Sequence, residues 1–79
     1  MQKRSLTIHG HRTSISLEES FWMELNDIAK ARQQSLASLV QMIDKERDGG
    51  LSSAIRVFIL AELRHQLAAS TTAKASQIL

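Results

Sequence analysis

The side chains here that could do chemistry are three histidines, several serines and the arginines, because the chain contains no cysteine. His9 and His11 stand two apart, a spacing that puts both on one face of an extended strand. With His65 they would supply three metal ligands. A zinc site needs three or four ligands, each oriented by supporting groups, and nothing in the sequence brings His65 to the other two. No metal and no other cofactor is expected, and the two N-terminal histidines are expected to lie beside the strand. Catalysis is not expected either: there is no Ser/His/acid set, no glycine-rich phosphate loop and too short a chain to enclose a large pocket. What remains is the alternation in "HRTSISLEESFW", where Arg12, Ser14 and Ser16 share one face and Thr13, Ile15 and Leu17 the other.

That run must be positioned by what surrounds it. Thr13 to Leu17 reads as a strand leading straight into a helix with no turn between. The earlier run Leu6-Thr7-Ile8 also alternates, but out of phase with Ile15 and Leu17. A hairpin within residues 5–17, with Gly10 as its only turn residue, is the weaker option. The stronger option is a solitary strand. Because such a strand exposes unpaired backbone groups, it is expected to pair antiparallel with its own copy across a two-fold axis.

A first helix is predicted from Glu18 to about Arg32, with Glu18 and Glu19 at its positive end and the stripe Phe21, Trp22, Leu25, Ile28 and Ala29 facing a core. Ser35 is a plausible N-cap for a second helix carrying Leu36, Leu39, Val40 and Ile43. The intervening Arg32-Gln33-Gln34 contains no residue suited to a left-handed conformation. Asp48-Gly49-Gly50 is the one strong break. A third helix runs from Leu51 or Ser52 to about Leu67 and is apolar around most of its circumference, which places it in a subunit interface. Residues 1–67 form one domain, and 68–79 read as a disordered tail.

Size and charge agree with this picture. A chain of 79 residues buries only roughly 60–65% of the surface its unfolded form exposes, and without cysteine oligomerisation is the remaining source of burial. Net charge is +2, unevenly spread: Lys3, Arg4 and Arg12 are unopposed over residues 1–17, while residues 18–50 carry seven acids against four bases. Basic residues open the chain but no apolar segment follows them, so no signal peptide is read. No apolar run approaches the ~20 residues that span a bilayer. A soluble cytoplasmic protein is expected.

The strand running into a helix, followed by a Ser-capped second helix, resembles the ribbon-helix-helix DNA-binding proteins (the Arc and MetJ class). More narrowly, the run from "KRSLTIHGHRTSISLEESFW" through "GGLSSAIRVFILAELR" is similar to small bacterial ribbon-helix-helix proteins of alphaproteobacterial type. The resemblance covers about residues 3–67. It implies a mostly α fold with one strand pairing across a two-fold dimer, followed by three helices. The implied function is that of a homodimeric, sequence-specific DNA-binding repressor or regulator at the bacterial nucleoid, with double-stranded DNA and a second copy as partners. On this resemblance Arg12, Ser14 and Ser16 contact base edges. Ser35, Leu36 and Ala37, with Lys3 and Arg4, contact phosphate, and the dimer core comprises Ile15, Leu17, Trp22, Leu25, Val40 and Phe58. Two departures are visible. The inter-helix turn lacks glycine, with Ala37 where the family often has asparagine, and Leu51-Ser52-Ser53-Ala54-Ile55-Arg56 also resembles the family's second helix. The phosphate-binding helix therefore starts at Ser35 or, alternatively, near Ser52. The rival function is a protein–protein module, an antitoxin or adaptor, that uses the ribbon or the apolar third helix.

Overall fold

A computed structural model describes residues 1–78, with side chains described through Ala69. Two strands, β1 (Gln2–Ile8) and β2 (His11–Leu17), precede three helices, α1 (Glu19–Ala31), α2 (Leu36–Glu46) and α3 (Leu51–Ile78). Ribbon, two helices and third helix thus appear in the expected order, and the chain is mostly helical.

The strand partner is where the structure differs from expectation. β2 pairs antiparallel with β1 of the same chain over its whole length, from Gln2 opposite Leu17 to Ile8 opposite His11. Only His9 and Gly10 lie between the strands, and both have positive φ, 51° and 80°. A two-residue hairpin loop of the type I′ kind demands this at both central positions, because its twist then matches that of the strands. Gly10 meets the demand without a Cβ clash, and histidine is among the few side chains enriched in that region. The pair His9-Gly10 is therefore a complete hairpin turn.

Helix α1 opens at Glu18 and Glu19 and carries Lys30 in its last turn, charges that complement its dipole. Its C-terminal turn corrects the expectation for Arg32-Gln33-Gln34: Gln33 is left-handed, with φ 56°. The Gln33 N–H donates to the Lys30 carbonyl and the Gln34 N–H to the Ala29 carbonyl, both at 3.0 Å. That pair of bonds is the Schellman motif, usually built on glycine. Here a glutamine carries the strain so that the chain can reverse into α2. Ser35 then caps α2, its Oγ accepting the Ser38 N–H at 3.0 Å.

One core lies between the hairpin and the helices. Ile8, Ile15 and Leu17 come from the strands, Trp22, Leu25, Ile28 and Ala29 from α1, Leu39, Val40 and Ile43 from α2, and Ile55 and Ile59 from α3. Ile15, Leu17, Trp22, Leu25 and Val40, expected at a core shared by two chains, are each buried within this one chain. Phe58 is half-buried against the same cluster, with the Arg32 guanidinium 5.2 Å from its ring centroid. Helix α3 continues past its expected end near Leu67 to Ile78, so residues 68–78 are helical where a disordered tail was expected; from residue 70 on, side chains lie outside the described residues.

Candidate nucleic-acid interface

Antiparallel partners lie on the same side of a sheet, so the register sorts the hairpin into two faces. Toward the helices point Gln2, Arg4, Leu6 and Ile8 with Leu17, Ile15, Thr13 and His11. Away from them point Lys3 opposite Ser16, Ser5 opposite Ser14, and Thr7 opposite Arg12. Five of these six outward residues are exposed and Ser16 is half-buried. Arg12, Ser14 and Ser16 therefore share the outer face, as their spacing implies. Lys3 joins them. Arg4 sits on the opposite face, its guanidinium 5.0 Å from the centroid of the Trp22 ring.

The back of the hairpin is pinned to the helical layer at both ends. At the open end the Trp22 indole N–H donates to the Gln2 carbonyl at 2.9 Å, and the Ser52 hydroxyl donates to the Ser16 carbonyl at 3.2 Å. At the turn the His9 N–H donates to Gln41 Oε1 at 3.0 Å, and His9 Nε2 lies 3.4 Å from Asp44 Oδ2. An isolated two-stranded hairpin is marginal in water, so these anchors and the buried Ile8, Ile15 and Leu17 decide whether the outer face holds its shape. His9 is thereby a structural residue of the turn, and His11 begins β2. Among the described residues no three His, Cys, Asp or Glu side chains are grouped to hold a metal ion.

Electrostatically this face is one-signed. The hairpin contains no acid, and the next residue in the chain, Glu18, is engaged by Arg56 through Nη2 at 2.9 Å and Nε at 3.0 Å. A hydrogen bond at its own backbone, then the Arg56 guanidinium, holds the Glu18 carboxyl below its ordinary range. Lys3 and Arg12 are the cations of the outer face, at diagonal corners of the ribbon.

Two helix N-termini compete as anion sites. At α2 the N–H groups of Leu36 and Ala37 are the free first-turn donors beside the Ser35 cap. The hairpin's bonds to α2, however, are made at Gln41 and Asp44, toward the C-terminal end of the helix near the turn. The N-terminus of α3 is different: Ser52, in its first turn, is bonded to the end of β2 itself. The α3 N-terminus thus borders the ribbon, and the resemblance of Leu51–Arg56 to a second family helix was the signal for it. Ser5 and Thr7 lie exposed on the same outer face, where the sequence reading had not placed them.

Helix α3 buries Ile55 and Ile59 and leaves Val57, Leu60, Leu63 and Leu67 at 63%, 52%, 37% and 68% exposure. Along this stripe runs a groove of about 230 Å³, lined by Phe21, Val57, Ile59, Leu60 and Leu63, with Arg56 also lining it. No helix among the described residues is long and apolar enough to cross a membrane.

An acid-free antiparallel ribbon, seated on a small helical layer with its polar face outward, defines a ribbon-bearing helical domain. A family model described as "Ribbon-helix-helix domain" matches residues 1–63, and the chain belongs to that family. Ribbon-helix-helix proteins are generally DNA-binding transcription regulators on a non-enzymatic fold, and they typically bind DNA as dimers. No curated protein and no solved structure matches the chain.

Proposed function

We propose that this protein is a homodimeric, sequence-specific DNA-binding regulator of transcription, acting as a repressor, that lays its ribbon in the major groove. The observation that carries the reading is the outer face of β2: Arg12, Ser14 and Ser16 project from a ribbon without acids whose other face buries Ile8, Ile15 and Leu17. A two-stranded ribbon fits the major groove, Arg12 suits the O6 and N7 acceptors of guanine, and serine can donate or accept at either kind of base edge. Phosphate contacts then fix the register. The α3 N-terminus is the better placed of the two helix starts for this, because Ser52 touches the ribbon, and unpaired N–H groups with a positive dipole favour an anion. The Ser35, Leu36 and Ala37 start of α2 is the second candidate. Arg4, stacked on Trp22 at the ribbon's edge, reaches a flanking phosphate rather than a base.

The dimer forms through the exposed stripe of α3. Val57, Leu60, Leu63 and Leu67 carry no charge to oppose self-association, the adjoining groove offers a seat for a second copy's stripe, and a chain this small gains most from such burial. The same stripe also favours a second reading, a module that docks another protein. Binding to a random duplex library across a salt series separates the two. A DNA-binding dimer loses affinity steeply as salt rises, through counterion release. An intact dimer that binds no duplex at low salt refutes the DNA reading.

A further inference from the structure

We propose that Glu18 ends the reading face as a fixed acid, and that Arg56 of α3 is its charge shield, cancelling a carboxylate that would otherwise repel DNA phosphates. This rests on the DNA-binding reading above and adds to it a pair of residues that tunes binding without touching a base. Glu18 is the first acid in the chain and directly follows the last residue of β2. Its backbone is still extended, with φ −59° and ψ 146°. The alternation of β2 therefore runs one step further and puts its side chain on the side of Arg12, Ser14 and Ser16. A hydrogen bond at its own backbone, then Arg56, keeps the carboxyl below its ordinary range, so the acid is charged at neutral pH. On the outer face only Lys3 and Arg12 are present to outweigh it. An uncancelled carboxylate at this end would stand in the field of a polyanion.

Arg56 is brought to this position by Ser52. Residues four apart on a helix share a face at a rise of about 6 Å, and residues two apart on an extended chain are separated by about 6.6 Å. A helix bonded through Ser52 to the Ser16 carbonyl therefore meets Glu18 with Arg56. The Arg56 Nε donates at 3.0 Å and Nη2 at 2.9 Å, both to Glu18 Oε1. The guanidinium carbon also lies 5.7 Å from the centroid of the Phe21 ring, which fixes the arginine from a second side. Exposure decides which partner faces outward: the Glu18 side chain is 48% exposed and the Arg56 side chain 31%. An arginine that grips phosphate should be the outer member of its pair. Here the carboxylate is outermost and the guanidinium stands behind it. Exposed ion pairs add little to stability, so the weight of this pair falls on the charge of the surface.

A charge cycle in the full-length protein tests this, with affinity for random duplex measured from about 50 to about 200 mM salt. Each variant is first confirmed folded by circular dichroism and dimeric by sedimentation. Arg56→Gln leaves an uncancelled acid in each protomer and should weaken binding about tenfold at the lowest salt, a loss that shrinks as salt screens it. Glu18→Gln leaves an uncancelled cation and should strengthen binding by a similar factor, steepening the salt slope by up to about one per protomer. The double variant Arg56→Gln with Glu18→Gln should return to within about twofold of wild type, because the two charges act as one neutral unit. Arg56→Lys keeps the charge without the fork and should keep the wild-type salt slope. A double variant as weak as Arg56→Gln shows the arginine gripping phosphate itself and overturns the shield. A single salt curve shared by wild type and every variant places the pair outside the field of DNA and overturns it as well. A wild-type dimer that binds no duplex at low salt overturns the DNA reading, a failure that is distinguishable because it precedes any substitution.

Discussion

Trp22 links the buried core to the reading face, and replacing it by phenylalanine separates its two contributions. The side chain is fully buried, yet its indole N–H leaves the core to meet the Gln2 carbonyl at the start of β1. Trp22→Phe retains an aromatic ring and removes that donor. A neutral hydrogen bond contributes roughly 0.5–1.5 kcal/mol net. Because Gln2 is exposed, its carbonyl can turn to water, which sets the loss near 1 kcal/mol. The smaller ring, with a weaker hold on the Arg4 guanidinium, adds about 1 kcal/mol more. A total near 2 kcal/mol lowers the Tm of a domain this size by roughly 8–16 °C. Circular dichroism at a fixed protein concentration measures it, since dimerisation makes Tm concentration-dependent. The location of the effect is the sharper test. Amide exchange at Arg4, next to the lost anchor, should accelerate more than at Ile8, which lies beside the turn held by Gln41. A uniform rise in exchange across hairpin and helices would show that Trp22 acts only by filling the core, and the anchoring argument would fall.

Three further outcomes follow from other positions. Gln33→Gly should stabilise the protein by about 0.5–1 kcal/mol in denaturant titration, because the left-handed cost of a side chain exceeds the extra freedom glycine has when unfolded; a loss of stability would mean the Gln33 side chain does something the Schellman geometry does not explain. Glu18→Gln should flatten the acid limb of the stability curve. The folded carboxyl titrates below its ordinary value of about 4.5, so its contribution is complete above that pH and vanishes as pH falls through the lower folded value. Thermal melts between pH 3 and pH 6 check this, and an unchanged acid limb refutes it. Leu60→Glu with Leu63→Glu should leave the helical spectrum intact and convert dimer to monomer in sedimentation equilibrium; a persistent dimer moves the seam away from α3.

Most of the helical layer was legible in the chain. Periodicity found α1 and α2 because each buries a single stripe, and α3 was found from the long apolar run after the Gly49-Gly50 break; the serine cap at Ser35 was visible because capping is local. The hairpin was misjudged for a reason the residues themselves correct. Leu6 and Ile8 are even-numbered while Ile15 and Leu17 are odd, which looks like a phase error needing repair. In the observed register each pair of partners sums to nineteen, so an even residue must face an odd one. The apparent conflict is what a two-residue turn requires, and His9-Gly10 was its marker. Gln33 was illegible in another way. Its left-handed backbone is imposed by the packing of α2 on α1, which outweighs a local cost of about 1–2 kcal/mol, and tertiary packing leaves no local signal. The site was half legible: Arg12, Ser14 and Ser16 fall on the outer face, but without β1 in the sheet Ser5 and Thr7 had no face to belong to.

On the proposed function, a dimer seam along the exposed stripe of α3 would join two DNA-reading units. Once one unit is seated, the other would bind at an effective concentration set by the geometry of the seam, and avidity would rise only if both engage together. Two half-sites at a fixed spacing should therefore be selected from a random duplex library. Leu60→Glu with Leu63→Glu should then lower affinity and remove that fixed spacing. Selection of the same paired half-sites by this variant would place the seam elsewhere than on α3.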